Sequence, residues 1–81
     1  MSLTALEISY NQLTHLPNSI GNLTLLAKLY VGYNQLTHLP SSVGNLTMLK
    51  YLTIGHNPIT STDEGKDEVN RRFGRDGLKI S

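Results

Sequence analysis

The residues best suited to chemistry are the three histidines. His15 and His38 stand 23 residues apart inside two nearly identical stretches. Adjacent turns of a repeating chain would set their rings about one strand spacing apart, ~5 Å, close enough to share a metal. A catalytic zinc takes three protein ligands, and the equivalent place in a third stretch holds Ser61. The pair therefore reads as solvated side chains, and no metal or cofactor is expected. His56 with Ser9, Thr53 and Glu7 has the composition of a nucleophile, a base and an orienting acid. That chemistry requires an enclosed cleft and a buried acid, which short alternating strands do not supply, so enzyme activity is not expected. Asn22-Leu23-Thr24 and Asn45-Leu46-Thr47 match the glycosylation acceptor pattern, yet both are copies of one repeated element. Asp63, Glu64, Asp67 and Glu68 lack the alternating spacing and glycine placement of a calcium loop and read as the acidic start of a helix.

Composition narrows the classes further. Eighty-one residues permit one small domain. There is no cysteine, which removes thiolate chemistry and suits a reducing compartment, so a cytoplasmic location is expected. A net charge of +1 without a basic stripe argues against nucleic acid as a partner. No apolar run approaches the roughly 20 residues that span a bilayer, and no signal-peptide pattern opens the chain, which argues against a membrane.

The elements that must carry any site are set by a repeat. Residues 10–24 read YNQLTHLPNSIGNLT and residues 33–47 read YNQLTHLPSSVGNLT, with 13 of 15 positions identical. The 23-residue offset extends outward through Leu3, Leu26 and Leu49; Leu6, Leu29 and Leu52; Ile8, Val31 and Ile54; Asn11, Asn34 and Asn57; and Leu13, Leu36 and Ile59. Within each unit, period-two alternation sends Leu6 and Ile8 to one side and Glu7 and Ser9 to the other, as a short strand requires. The chain must then turn at the asparagine. An asparagine repeated at that place can bond backbone groups of the next coil, so a stacked column satisfies amides that the turn would strand. Asn11, Asn34 and Asn57 are thus expected to form a structural ladder. Leu13, Leu16, Ile20 and Leu23 supply the opposite wall, with Pro17 and Gly21 shaping an irregular return arm. One unit cannot bury these faces alone, but stacked units can.

The LxxLxLxxNxL pattern, with its LTxLPxxIGNLT return arm, resembles the leucine-rich repeat proteins over residues 3–60, in the 23-residue class of intracellular plant, animal and bacterial members. The resemblance implies an α/β fold. It is a short right-handed solenoid with a parallel sheet of about four short strands on the concave face, irregular convex arms and a C-terminal capping helix. Residues 1–60 would hold three repeats, starting near positions 3, 26 and 49, and residues 61–81 a C-terminal cap. About function the resemblance is less specific, since the family is a general protein-binding scaffold.

Composition changes near Thr60. The first sixty residues hold only Glu7, Lys28 and Lys50 as charges, and residues 61–81 hold the other ten. Acid precedes base there, as in a helix aligned with its dipole. The spacing predicts a helix over about 63–74 opened by a Ser61/Glu64 capping box, with Val69 and Phe73 on its buried side. A short strand over about 77–81 follows, with Leu78 and Ile80 alternating three residues later than the strict register. No comparable cap precedes Leu3, so the first coil leaves an open strand edge. That edge is an association hazard, and it suits either the C-terminal fragment of a longer array or self-association through this edge.

Placing the non-repeat residues on the concave sheet gives the columns Ala5, Lys28, Tyr51; Glu7, Tyr30, Thr53; Ser9, Gly32, Gly55; and Tyr10, Tyr33, His56. All four tyrosines fall there, and tyrosine is a rigid amphipathic contact. The bare Gly32 and Gly55 would leave room for a partner. The expected function is a non-catalytic protein-interaction module reading its partner with Tyr10, Tyr30, Tyr33 and Tyr51, assisted by Glu7, Lys28, Thr53 and His56. The alternatives are a self-associating structural unit and the recognition segment of a larger effector, receptor or signalling protein.

Overall fold

The computed structural model describes residues 3–81. Four strands, β1 (Ala5–Glu7), β2 (Lys28–Tyr30), β3 (Tyr51–Thr53) and β4 (Lys79–Ile80), form one parallel sheet in chain order. Leu6 lies opposite Leu29, and Leu29 opposite Leu52, so each coil advances by the 23-residue repeat. The return arms are irregular, broken by 3-10 turns at Asn18–Asn22, Ser41–Asn45 and Pro58–Thr60. Pro17 and Pro40 enter the first two in extended backbone, the conformation that proline's ring favours.

Burial follows position in the stack. Leu29, Val31, Leu36 and Leu46 of the second coil are fully buried between their neighbours, whereas Leu6, Ile8, Leu13 and Leu23 of the first are only partly covered. The sequence pattern is the same in both coils; stacking alone separates their environments.

The asparagine column reaches in the direction opposite to that expected, toward the preceding coil. Asn34 accepts from the Leu13 N–H at 3.1 Å and donates to the carbonyls of Ile8 at 3.1 Å and Val31 at 3.0 Å. Asn57 repeats this with the Leu36 N–H and the Val31 and Ile54 carbonyls. Both amides are buried. Asn11 has no described coil before it and bonds only the carbonyls of Ile8 and Ser9 in its own coil, where it is exposed. The ladder ends on a residue the repeat does not announce. The Ile8 carbonyl is met by Asn34 and the Val31 carbonyl by Asn57, while the Ile54 carbonyl is met by the Thr60 hydroxyl at 3.3 Å.

The cap departs from the sequence reading at both of its ends. Helix α1 runs Asp63–Phe73, and its N-cap is Thr62, which accepts from the Gly65 N–H at 3.0 Å; Ser61 instead donates to the Pro58 carbonyl. Gly65 occupies the third helical position, where the box needs a glutamate, because a Cβ there would fall on the Ile59 carbonyl oxygen. Val69 and Phe73 are buried against the third coil. The Arg75 guanidinium donates to the carbonyls of Leu46 at 2.8 Å and Leu49 at 3.0 Å, tying the exit of the helix to the second return arm. A turn at Asp76-Gly77, closed by the Leu78 N–H to the Arg75 carbonyl with Gly77 at φ +87°, leads into β4. Ile80, not Leu78, lies opposite Leu52, so this coil takes 80 − 52 = 28 residues, five beyond the repeat rather than three. A helix advances only ~1.5 Å per residue, so a helical return arm consumes more chain than an extended one.

Two substitutions test this account by urea denaturation. Asn34→Ala strands buried backbone groups and is expected to cost about 1–3 kcal/mol, while Asn11→Ala changes stability by no more than about 0.5 kcal/mol. Equal effects would show that burial in the column is not what matters. Gly65→Ala, which normally stabilises a helix by about 1 kcal/mol, is expected to destabilise because of the Ile59 carbonyl.

Candidate functional site

The central leucines of β1, β2 and β3 point inward, half-buried at Leu6 and buried at Leu29 and Leu52, and the residues flanking them turn outward, because alternate residues of a strand face opposite sides. Ala5, Lys28, Tyr51 and Lys79 are therefore one registered row on the outer face, and Glu7, Tyr30 and Thr53 a second. Lys79 was not among the sequence candidates. It joins the Tyr51 row only because β4 enters at the longer offset, whereas the expected register sets it beside Thr53. The Lys28 ammonium lies 5.9 Å from the centre of the Tyr51 ring, a cation–π distance. Tyr51 is 41% exposed and Tyr30 is half-buried. The face has a cationic side at Lys28 and Lys79 and an acidic one at Glu7. The Glu7 carboxyl is held below its ordinary pKa by the Ser9 hydroxyl and by the Ser9 N–H, which donates to it at 2.8 Å.

Strict alternation would turn Tyr10 and its equivalents toward the core. The backbone prevents it. Tyr10, Tyr33 and His56 all adopt left-handed φ of +60°, +56° and +58°, which reverses the side chain just before the ladder asparagine. Their rings then stack: Tyr10 on Tyr33 at 4.4 Å and 9°, and Tyr33 on His56 at 4.1 Å and 11°. A left-handed residue with a Cβ costs about 1–2 kcal/mol. A good aromatic pair returns about 0.5–1.5 kcal/mol, so stacking and the ladder bonds together hold the strained conformation. Tyr10 is 74% exposed and Tyr33 45%. The sequence signal for this was present, an aromatic ring preceding each ladder asparagine, but not the backbone reversal that produces the column.

Other sequence candidates are not brought together. Glu7 and Thr53 are separated by β2 and Tyr30, and the Glu7 carboxylate is engaged by Ser9, so no triad geometry forms with His56. His15 and His38 are exposed, each with Nδ1 3.2 Å from the hydroxyl of the preceding threonine. Among the described residues no group of three or more His, Cys, Asp or Glu side chains is placed to hold a metal ion. Gly32 is not an open floor. It is buried, and a Cβ there would stand 3.2 Å from the Gly55 carbonyl oxygen. Among the described residues no helix is long and apolar enough to cross a membrane.

A cleft of about 880 Å³ opens beyond β3, between the third coil and α1, with Ile54, His56, Lys66, Val69, Asn70 and Ile80 on its walls. Only His56 among these was a sequence candidate. The cleft exists because α1 crosses the coil, which residue spacing does not display.

The family profile for the leucine rich repeat matches residues 1–59. Among solved structures, an LRR protein of Leptospira interrogans is similar to this chain with a TM-score of 0.80 and 32% sequence identity, over 93% of this chain and 18% of that one. The chain thus corresponds to less than a fifth of the length of that protein. No curated protein matches the sequence.

The stacked column makes two predictions. Tyr33→Ala loses two ring contacts and keeps the strained φ, whereas Tyr33→Gly loses the contacts and relieves the strain, so the glycine variant is expected to be the more stable by about 1 kcal/mol in thermal or urea unfolding. Carbon-detected NMR titration is expected to find the Glu7 midpoint below the ordinary glutamate value, and Ser9→Ala should move it upward. Because the folded value is lowered, the linked stabilisation is present above the unfolded pKa and is lost as pH falls through the folded one. An unchanged midpoint in Ser9→Ala would remove the hydroxyl as its cause.

Proposed function

Since the chain belongs to the leucine-rich repeat family, whose members generally serve as protein-interaction modules, we propose that it is a non-catalytic module that recognises a protein on the outer, concave side of its sheet. The observation that carries the reading is the segregation of side chains. Leu6, Leu29, Leu52 and Ile80 turn inward, while Tyr30, Tyr51, Lys28, Lys79, Glu7 and Thr53 share the other face and Tyr10, Tyr33 and His56 border it. Tyrosines held by stacking and by a cation–π contact have already lost rotamer freedom, so a partner that docks on them pays less ordering entropy. The lysine row favours a partner with carboxylates opposite Tyr51, and Glu7 favours a cation at the other side.

A second reading rests on a specific observation. Leu6, Ile8 and Leu13 of the first coil are only partly covered and Leu3 is 39% exposed, beside the outer edge of β1, so this edge could receive another copy of the chain. A third is that the chain serves as the recognition segment of a larger protein, in the cytoplasm, in keeping with the length of the Leptospira interrogans relative.

The deciding experiment places a photo-crosslinking residue at Thr53 on the outer face or at Ser19 on the return arm and captures partners from the source cells. A partner joined at Thr53 alone, whose affinity falls about tenfold in Tyr51→Ala and again in Tyr33→Ala, is expected. Capture that is equal from both positions, or of further copies of the chain only, would overturn this assignment and put self-association first.

A further inference from the structure

Each return arm re-enters the sheet through a tight turn, and these turns line up along the edge where the chain enters the strands. The Leu26 N–H donates to the Leu23 carbonyl at 3.0 Å and the Leu49 N–H to the Leu46 carbonyl at 3.1 Å, so Leu25 and Met48 occupy equivalent places at the tips of adjacent turns. They are 44% and 51% exposed, while Leu26, Leu46 and Leu49 beside them are buried. A neighbouring coil packs on the flat side of a coil and leaves its turn open. Met48 already has the Leu25 turn on one side and Arg75 on the other, and it is still the more exposed of the two. Folding gathers cations at this same edge, although they are scattered along the sequence. Lys28 and Lys79 open β2 and β4, and Lys50 immediately precedes β3 and accepts the Lys79 N–H on its carbonyl at 2.9 Å. Arg72 lies in the last turn of α1, and the Arg75 guanidinium bonds the carbonyls of Leu46 and Leu49, the residues that close the Met48 turn. These are five of the seven cations, all exposed, with Asp76 as the carboxylate among them. Glu7 closes β1 at the opposite end of the sheet, and Asp63 and Glu64 open α1.

We propose that this edge docks the chain on the surface of an anionic lipid bilayer, with Leu25 and Met48 entering the boundary between headgroups and acyl chains and the surrounding cations meeting the lipid headgroups. An anionic leaflet attracts a local cluster of lysine and arginine, and apolar side chains gain free energy by leaving water. Neither contribution needs a spanning segment, and among the described residues no helix could supply one. Shape and composition favour a bilayer over other polyanions. Two apolar tips that project from turns can enter a fluid surface, whereas a folded partner would have to offer a pocket for each. A nucleic-acid strand would use the cations and set Leu25 and Met48 against phosphates, gaining nothing from them. Docking by this edge also leaves the partner-reading side usable. Tyr30 and Thr53 end their strands, and Tyr10, Tyr33 and His56 follow the strands at the far end of the sheet, so they point away from the membrane.

The sequence contains no tryptophan, so Met48→Trp places a single fluorescent reporter at a turn tip, and Ser19→Trp places one on the exposed return arm as a control. With vesicles of mixed phosphatidylserine and phosphatidylcholine, the Met48→Trp emission is expected to shift to the blue and to be quenched by lipid brominated in its acyl chains. The Ser19→Trp emission should do neither. Vesicles of phosphatidylcholine alone should give no shift, and added salt should weaken binding by screening. In co-sedimentation with the mixed vesicles, Lys50→Gln is expected to weaken binding about fivefold. The double substitution Leu25→Ser, Met48→Ser, exposed positions whose loss leaves the circular dichroism spectrum unchanged, should weaken it about tenfold. Absence of a blue shift at millimolar lipid, or equal quenching of the two reporters, would overturn the proposal. Undiminished binding of the double serine variant would also overturn it, since the cations would then act alone and the edge would suit a nucleic acid or an acidic protein.

Discussion

The structure depends on one constraint. A coil that leaves its strand after three residues must satisfy the carbonyls and amides of the turn where water cannot reach them. Two side-chain amides, those of Asn34 and Asn57, do this. Each accepts one backbone N–H and donates to carbonyls of its own and the preceding coil, using both its donor and its acceptor capacity. Buried polar groups are costly only when unpaired, so the column converts a liability of tight turns into the register that aligns every strand. Asn11 has the same sequence surroundings and none of these inter-coil bonds, which shows that the property belongs to the stack and not to the residue.

That register also determines the surface. The left-handed residue before each ladder asparagine is the point where the chain breaks strand alternation, and the reversal moves Tyr10, Tyr33 and His56 out of the core and into one stacked column. The same translation from coil to coil that aligns the asparagines aligns the rings. Strain in the backbone, hydrogen bonds in the ladder and stacking on the surface are thus three consequences of one repeating turn.

The C-terminal coil solves a different problem, that of ending the repeat. Thr60 takes the place of the next asparagine at the Ile54 carbonyl, α1 covers the third coil with Val69 and Phe73, and Arg75 reaches back to the carbonyls of Leu46 and Leu49. Charged groups at an arginine make the stronger class of hydrogen bond, and here a single guanidinium joins the cap to the second return arm. Gly65 sets how closely the helix can lie on Ile59. The price of this closure is the longer offset of β4, which adds Lys79 to the Tyr51 row and leaves the cleft beside His56.

Much of this was legible in the residues. The 23-residue recurrence of aliphatics determined the strands, their parallel stacking and the core positions, because period-two alternation and a repeated asparagine have few other solutions, and the charge gradient after Thr60 marked a helix. The outward placement of Lys28, Tyr30, Tyr51 and Thr53 followed from the same alternation. What only the tertiary structure decided are features that depend on distance across coils. These are the direction of the asparagine bonds, the choice of Thr62 over Ser61 as cap, the pairing of Ile80 rather than Leu78 with Leu52, and the burial of Gly32. Residue spacing along one coil constrains which face a side chain takes, but the length of chain a helical return arm consumes, and the carbonyl it comes to rest against, are set by packing between coils.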